Sequence, residues 1–208
     1  MSRAMSGKPS RLIALKCNCE GELRSPSEKP PAGERSVIQQ PTVRFFELNE
    51  IWDWCAERGI EVEDRTLPAS DSRLSHVART QYASGQRSGR EGAVAARCVR
   101  ALGEWDECLL WVTHTGIWSS SEDWPAYYAM RGAQGERRSI ESAPGHCFED
   151  GEEAPLRQFL TAVMENGWDA YVIPAVRGAE TGVRLRISHD EYVELQSRRP
   201  VQSDALAV

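Results

Sequence analysis

An α+β fold is what this sequence predicts: a small mixed or antiparallel sheet built on a central buried strand, with a C-terminal hairpin and several packing helices. Three observations carry it. Residues 107–114 place Cys108, Leu110 and Val112 on one face of an extended segment and Leu109, Trp111 and Thr113 on the other. Both faces are largely apolar, so the strand should be covered on both sides. Residues 155–166 repeat Leu156, Phe159, Leu160 and Val163 at helical spacing, the signature of a helix with one face in a core. Residues 182–187 alternate Val183, Leu185 and Ile187 with Arg184 and Arg186, which reads as a strand with one wet face. The elements then run helix, helix, strand, helix, helix, strand, strand, helix. That order favours α+β or a small three-layer arrangement over a doubly wound sheet.

Taken in order, residues 1–42 read as a largely flexible segment with a short strand at 11–17 and a linker at 20–41 that contains four prolines. A single α+β domain should occupy 43–197. Residues 42–46 suit a strand or a helix lead-in. Residues 47–58 form a helix with Leu48, Ile51, Trp52 and Cys55 as its apolar stripe and Gly59 after its end. Residues 65–92, rich in Arg, Ser and Gly, read as a mobile loop, or one containing a weak helix near 74–82. Residues 93–102 are helical, with Val94, Ala95, Cys98, Val99 and Leu102 on one face and Gly103 as the stop.

After the central strand, Ser119 and Glu122 have capping-box spacing, but a helix starting there would carry Pro125 at its sixth position. A start at 121–123 puts Pro125 in the first turn, where its missing N–H costs little. Trp124, Tyr127, Tyr128 and Arg131 then follow helical spacing, and Gly132 and Gly135 end the helix. Residues 142–148 read as a turn-forming loop. Residues 169–174 are a strand that pairs with 182–187 across Gly178 and Gly182. Ser188-His189-Asp190-Glu191 fits a capping box, which predicts a short final helix carrying Tyr192, Val193 and Leu195. Residues 198–208 read as a disordered tail.

Composition bounds the function. The chain has 208 residues, 40% of them apolar, enough for a real core. No run of 18 apolar residues is present, and the N-terminal apolar stretch is too short for a signal peptide, so the expected location is the cytoplasm and no membrane partner is expected. No glycine-rich phosphate loop is present, which leaves Rossmann and P-loop nucleotide sites unsupported. Charge is uneven. Residues 65–100 hold seven arginines against two acids, while 104–169 hold thirteen acids against four arginines. Contact between the two regions explains this most simply; a nucleic-acid accessory role for the basic one is the sharper alternative. Tyr82 is its single aromatic residue, too few for base stacking.

The chemically active side chains form three weak constellations. Cys17 and Cys19 are the only close cysteine pair, without the second pair that structural zinc needs. His146 and Cys147 are adjacent, and adjacent side chains of an extended segment point to opposite faces. A cysteine nucleophile there would need His114 or His189 as its base. His114, His146 and His189 with Glu122 or Asp190 would be the donors of a metal site, but no paired-histidine spacing supports one. No metal or other cofactor is expected.

The strings WDECLLWV, GIWSSSEDWPAYYAMRG, APGHCF and ENGWDAYV, with RISHDEY after them, resemble an uncharacterised family of bacterial proteins over 105–192. That pattern often has proline where Ser119 stands. The resemblance implies a C-terminal module with a variable N-terminal part and no particular activity. The leading expectation is therefore a non-enzymatic binding or adaptor protein. Its aromatic surface, formed by Trp118, Trp124, Tyr127, Tyr128 and Arg131 together with His146, would capture a protein partner. The alternative is a small hydrolase or transferase using His114, Glu122, His146 and Cys147.

Overall fold

The computed structural model describes residues 43–63, 67–82, 89–116, 124–201 and 205–206, all within the unit Gln39–Val208. The expected N-terminal strand and Cys17 and Cys19 lie outside these residues. In chain order the elements are β1 (Arg44–Phe46), α1 (Leu48–Glu57), β2 (Val62–Glu63), β3 (Leu67–Pro68), β4 (His76–Gln81), α2 (Glu91–Ala101) and β5 (Glu107–His114). Then come α3 (Trp124–Ala133), β6 (Gly145–Glu149), α4 (Glu153–Glu165), β7 (Asp169–Val176), β8 (Ala179–Glu180), β9 (Val183–Ser188) and β10 (Tyr192–Ser197). The fold is α+β, with an eight-stranded sheet ordered β1-β6-β5-β7-β9-β10-β4, and β8 pairing β7. Every pairing in it is antiparallel. β2 and β3 form a separate two-stranded ribbon.

β5 is the axis. Its two-residue alternation sends Cys108, Leu110 and Val112 into one core and Leu109 and Trp111 into another. The first core lies under α2, α3 and α4: Val94, Ala95 and Cys98 meet Leu156, Phe159, Leu160 and Val163 there. The second lies under α1, where Ile51, Trp54 and Cys55 cover Leu109, Trp111, Cys147 and Ile173. Each such large side chain removed from water contributes about 1.5–3 kcal/mol. α1 buries Ile51, Trp54 and Cys55, while Leu48 is exposed and Trp52 half-buried, so the stripe is rotated from the one the sequence suggested. Gly145 makes the approach possible. A Cβ there would sit 2.8 Å from Cγ1 of Ile51 and 2.9 Å from Cβ of Phe46, closer than carbon atoms pack.

Four expected segments turn out differently. The loop predicted at 142–148 contains β6, paired on one edge with β1 and on the other with β5. Residues 76–81 are neither loop nor helix but β4, the edge strand beyond β10; the pairing and the Arg79–Glu194 ion pair at 2.6 Å supply what the local sequence lacks. The predicted final helix is β10. Ser188 still uses its hydroxyl, accepting the Asp190 N–H at 3.2 Å, but in a hairpin turn where Glu191 takes φ 63°. Val193 and Leu195 then alternate into the larger core, a period of two that outweighs the capping signal. Finally, the tail is not free throughout, because Leu206 is buried in the same core and Val201 and Ala205 pack against it. The basic and acidic regions do meet, where α2 packs on α4, but two of the arginines pair elsewhere: Arg73 with Asp71 and Arg79 with Glu194.

Candidate functional site

Of the expected aromatic surface, Trp118 lies outside the described residues, as does Glu122. Trp124 is half-buried, stacked on Tyr128 at 5.9 Å and edge-on to Trp168 at 5.2 Å. Tyr127, Arg131 and His146 are fully buried and form one interior network instead of a surface. Pro125 occupies the second position of α3, so the helix places Tyr127 and Arg131 four residues apart on its inward face. β6 presents His146 to them from the sheet.

The geometry of this network assigns its protons. Nη1 of Arg131 donates to the Tyr127 hydroxyl oxygen at 3.2 Å and to the Ala143 carbonyl at 3.1 Å. Arginine has no acceptor, so the tyrosine proton points away from it, toward Nε2 of His146 at 2.5 Å. Nε2 is thus an acceptor, with Nη1 of Arg131 also 3.3 Å from it, and the neutral ring carries its proton on Nδ1, a buried atom with no hydrogen-bond partner among the described residues. Burial, followed by the Arg131 charge, holds the imidazole down to about 3. The guanidinium faces carbonyls and the rings of Phe45 and Tyr127, at 4.8 and 5.7 Å. It has no carboxylate within ion-pair distance among the described residues. This network braces α3 against the sheet and is closed to solvent.

Cys147 points the other way, into the core under α1. Burial pushes its thiol up to about 12, and Nη2 of Arg44 donates to its sulfur at 3.3 Å. A buried neutral thiol on the opposite face from His146 is not a nucleophile–base pair.

His114 and His189 do converge. β5 ends, β7 begins and β9 ends at the same edge of the sheet, where they frame a cleft of about 420 Å³. Thr113, His114, Asp169, Tyr171, Arg186 and His189 line it. Asp169 is the organiser. Its carboxylate accepts the backbone N–H of His189 at 2.9 Å and Nδ1 of the same ring at 2.9 Å. That hydrogen bond, then the Asp169 charge, raises the His189 pKa above its ordinary value. The His114 ring lies 6.2 Å from that of His189, and its Nδ1 accepts the Gly116 N–H at 3.1 Å. Arg186 makes no hydrogen bond or ion pair among the described residues; the Tyr192 ring lies 6.0 Å from its guanidinium carbon. Thr113 and His114 also line an adjoining recess of about 290 Å³ beside Trp111.

Sequence reasoning named His114 and His189 but missed Asp169, Tyr171 and Arg186. Arg186 lies on the face expected to be wet, yet that face is largely covered: Arg184 is buried and Arg186 half-buried. No local signal joined Asp169 to His189, twenty residues away. Among the described residues no group of three His, Cys, Asp or Glu side chains is arranged to hold a metal ion. In the cleft, Asp169 holds His189 and also lies 3.9 Å from Nδ1 of His114, which accepts the Gly116 N–H. No helix among the described residues is long and apolar enough to cross a membrane. No protein-family model, curated protein or solved structure matches the chain.

Proposed function

We propose that the chain binds a small molecule bearing an anionic group in the cleft at the ends of β5, β7 and β9. The observation that carries this reading is Arg186, a guanidinium lining the cleft that makes no hydrogen bond or ion pair among the described residues, while Glu194, opposite it on β10, is paired with Arg79. Arginine offers a rigid fork of donors matched to oxyanions. His189, oriented by Asp169, stands beside it. The test is an NMR titration of the histidine ring protons with inorganic phosphate. His114 and His189 signals should move in a saturable way, and Arg186→Gln should remove the effect while the chain stays folded. Saturable shifts that survive Arg186→Gln, or no shifts, would dismiss the reading.

The Asp169–His189 contact favours a second reading, hydrolysis or group transfer with Nε2 of His189 as general base. A carboxylate that holds Nδ1–H leaves the Nε2 lone pair for substrate when the ring is neutral. This keeps His114 in the site but leaves out His146 and Cys147. The aromatic adaptor surface has less support, because Tyr127, Arg131 and His146 are interior.

A further inference from the structure

The geometry points to a phosphate group, carried by a small molecule, as the anion this cleft selects over a carboxylate. This deepens the anion-binding reading and rests on it. Three donor groups reach the cleft from three places: His114 at the end of β5, Arg186 on β9, and His189 in the turn after β9. The hydrogen bonds specify what each offers. Nδ1 of His114 is occupied as an acceptor by the Gly116 N–H, so the neutral ring carries its proton on Nε2 and donates from there. Nδ1 of His189 is held by Asp169; its Nε2 lies 3.6 Å from Oδ1 of Asp190, beyond a hydrogen bond. In the imidazolium form that Nε2–H is a charged donor.

The groups facing His189 are Asp169 from β7, His114 from β5, Arg186 from β9 and Asp190 in its own turn. The two carboxylates favour the charged ring, and Asp169 is the closer. Asp169 and Asp190 offset the imidazolium and the guanidinium, so what separates a phosphate from a carboxylate here is the placement of the donors. Shape points to phosphate. A carboxylate has two coplanar oxygens, and a guanidinium fork that takes one lone pair of each leaves only in-plane acceptor sites for two imidazoles that reach the cleft from different strands. A phosphate spreads three oxygens in three dimensions, so Arg186, His114 and His189 each find one.

The experiment is calorimetry of the full chain with inorganic phosphate, sulfate and acetate, backed by circular dichroism of every variant. Phosphate and sulfate are expected to bind at least about tenfold more tightly than acetate, the ratio that one extra charge-assisted hydrogen bond supplies. Sulfate remains a dianion across the range, so its affinity should fall as pH rises and His189 loses its proton. His189→Asn should flatten that profile, and His114→Gln should weaken sulfate. Arg186→Lys, which keeps the charge but not the fork, should lose most of the phosphate preference. Acetate binding as tightly as phosphate would overturn the phosphate assignment and leave the anion cleft standing. An unchanged sulfate profile in His189→Asn would overturn it too. Failure of all three anions to bind would sink both the assignment and the reading beneath it.

Discussion

The hydroxyl of Tyr127 lies 2.5 Å from Nε2 of His146, with both side chains fully buried and Arg131 donating to the same oxygen. The contact joins α3 to β6 through a directed chain, from guanidinium to hydroxyl to imidazole. It turns the residues first expected at a surface into a brace inside the larger core.

Tyr127→Phe keeps the ring and removes the link. It leaves Nε2 of His146 without its hydroxyl donor and Nη1 of Arg131 short of one acceptor. The expected loss of stability is about 1–3 kcal/mol, the range for a buried polar group stripped of its partner. Urea denaturation measures it. Arg131→Met should cost more, about 3–5 kcal/mol, because several buried acceptors lose the same donor. A stability change within error for either variant would show that the network does not brace the fold.

His146 should make stability fall with acid. Its folded-state value is lowered to about 3 from an ordinary 6.5, so between those values the unfolded chain binds a proton that the native chain refuses. The contribution is complete above pH 6.5 and is lost as pH falls toward 3, with a slope of at most about 1.4 kcal/mol per pH unit. Urea midpoints of the wild type and His146→Gln between pH 4 and 6.5 separate this from the carboxylates. The variant should show the shallower dependence.

Asp169→Asn should lower the His189 pKa toward its ordinary value, since the Asp169 hydrogen bond and charge are what raise it. Titration of the His189 ring proton by NMR reads the change directly. His189 is exposed, so little effect on overall stability is expected. An unmoved titration midpoint would contradict the pairing.

Gly145→Ala places a methyl group 2.8 Å from Cγ1 and 2.9 Å from Cδ1 of Ile51. A core forced apart in this way loses about 1–3 kcal/mol. Combining it with Ile51→Val removes Cδ1, so the double variant should be less destabilised than the two single changes predict. Strict additivity in thermal melts would mean that α1 does not rest on Gly145.

Cys55, Cys98, Cys108 and Cys147 are all buried free thiols, and burial pushes Cys55, Cys98 and Cys147 up to about 12. Peptide mapping after a brief pulse of thiol reagent at pH 7 should find these four unmodified in the native chain and modified in urea. Rapid native labelling of Cys147 would revive its role as a nucleophile.

What was legible in the chain was legible because of short periods. The alternation of Cys108 to Val112 announced a strand covered on both sides. The Leu156, Phe159, Leu160, Val163 stripe announced α4, and the spacing of Trp124, Tyr127, Tyr128 and Arg131 announced α3. The signals that misled were ones where local chemistry has two solutions. Ser188 caps a backbone N–H equally well at a helix start and in a hairpin turn. Gly145 to Phe148 reads as a turn by composition, yet it sits between two strands that satisfy its backbone.

The sequence by itself determined which side chains must leave water and at what spacing, and therefore the fold class and the covered strand at its centre. Tertiary structure alone decided the strand order, and with it the meeting of His114, Asp169, Arg186 and His189 at one sheet end. It also decided the withdrawal of Tyr127, Arg131 and His146 into the core. The reason is range. Periodicity records how each residue relates to its nearest neighbours along the chain, whereas the antiparallel pairings that bring residue 114 beside 169 and 189 arise from contacts between segments that no local pattern relates.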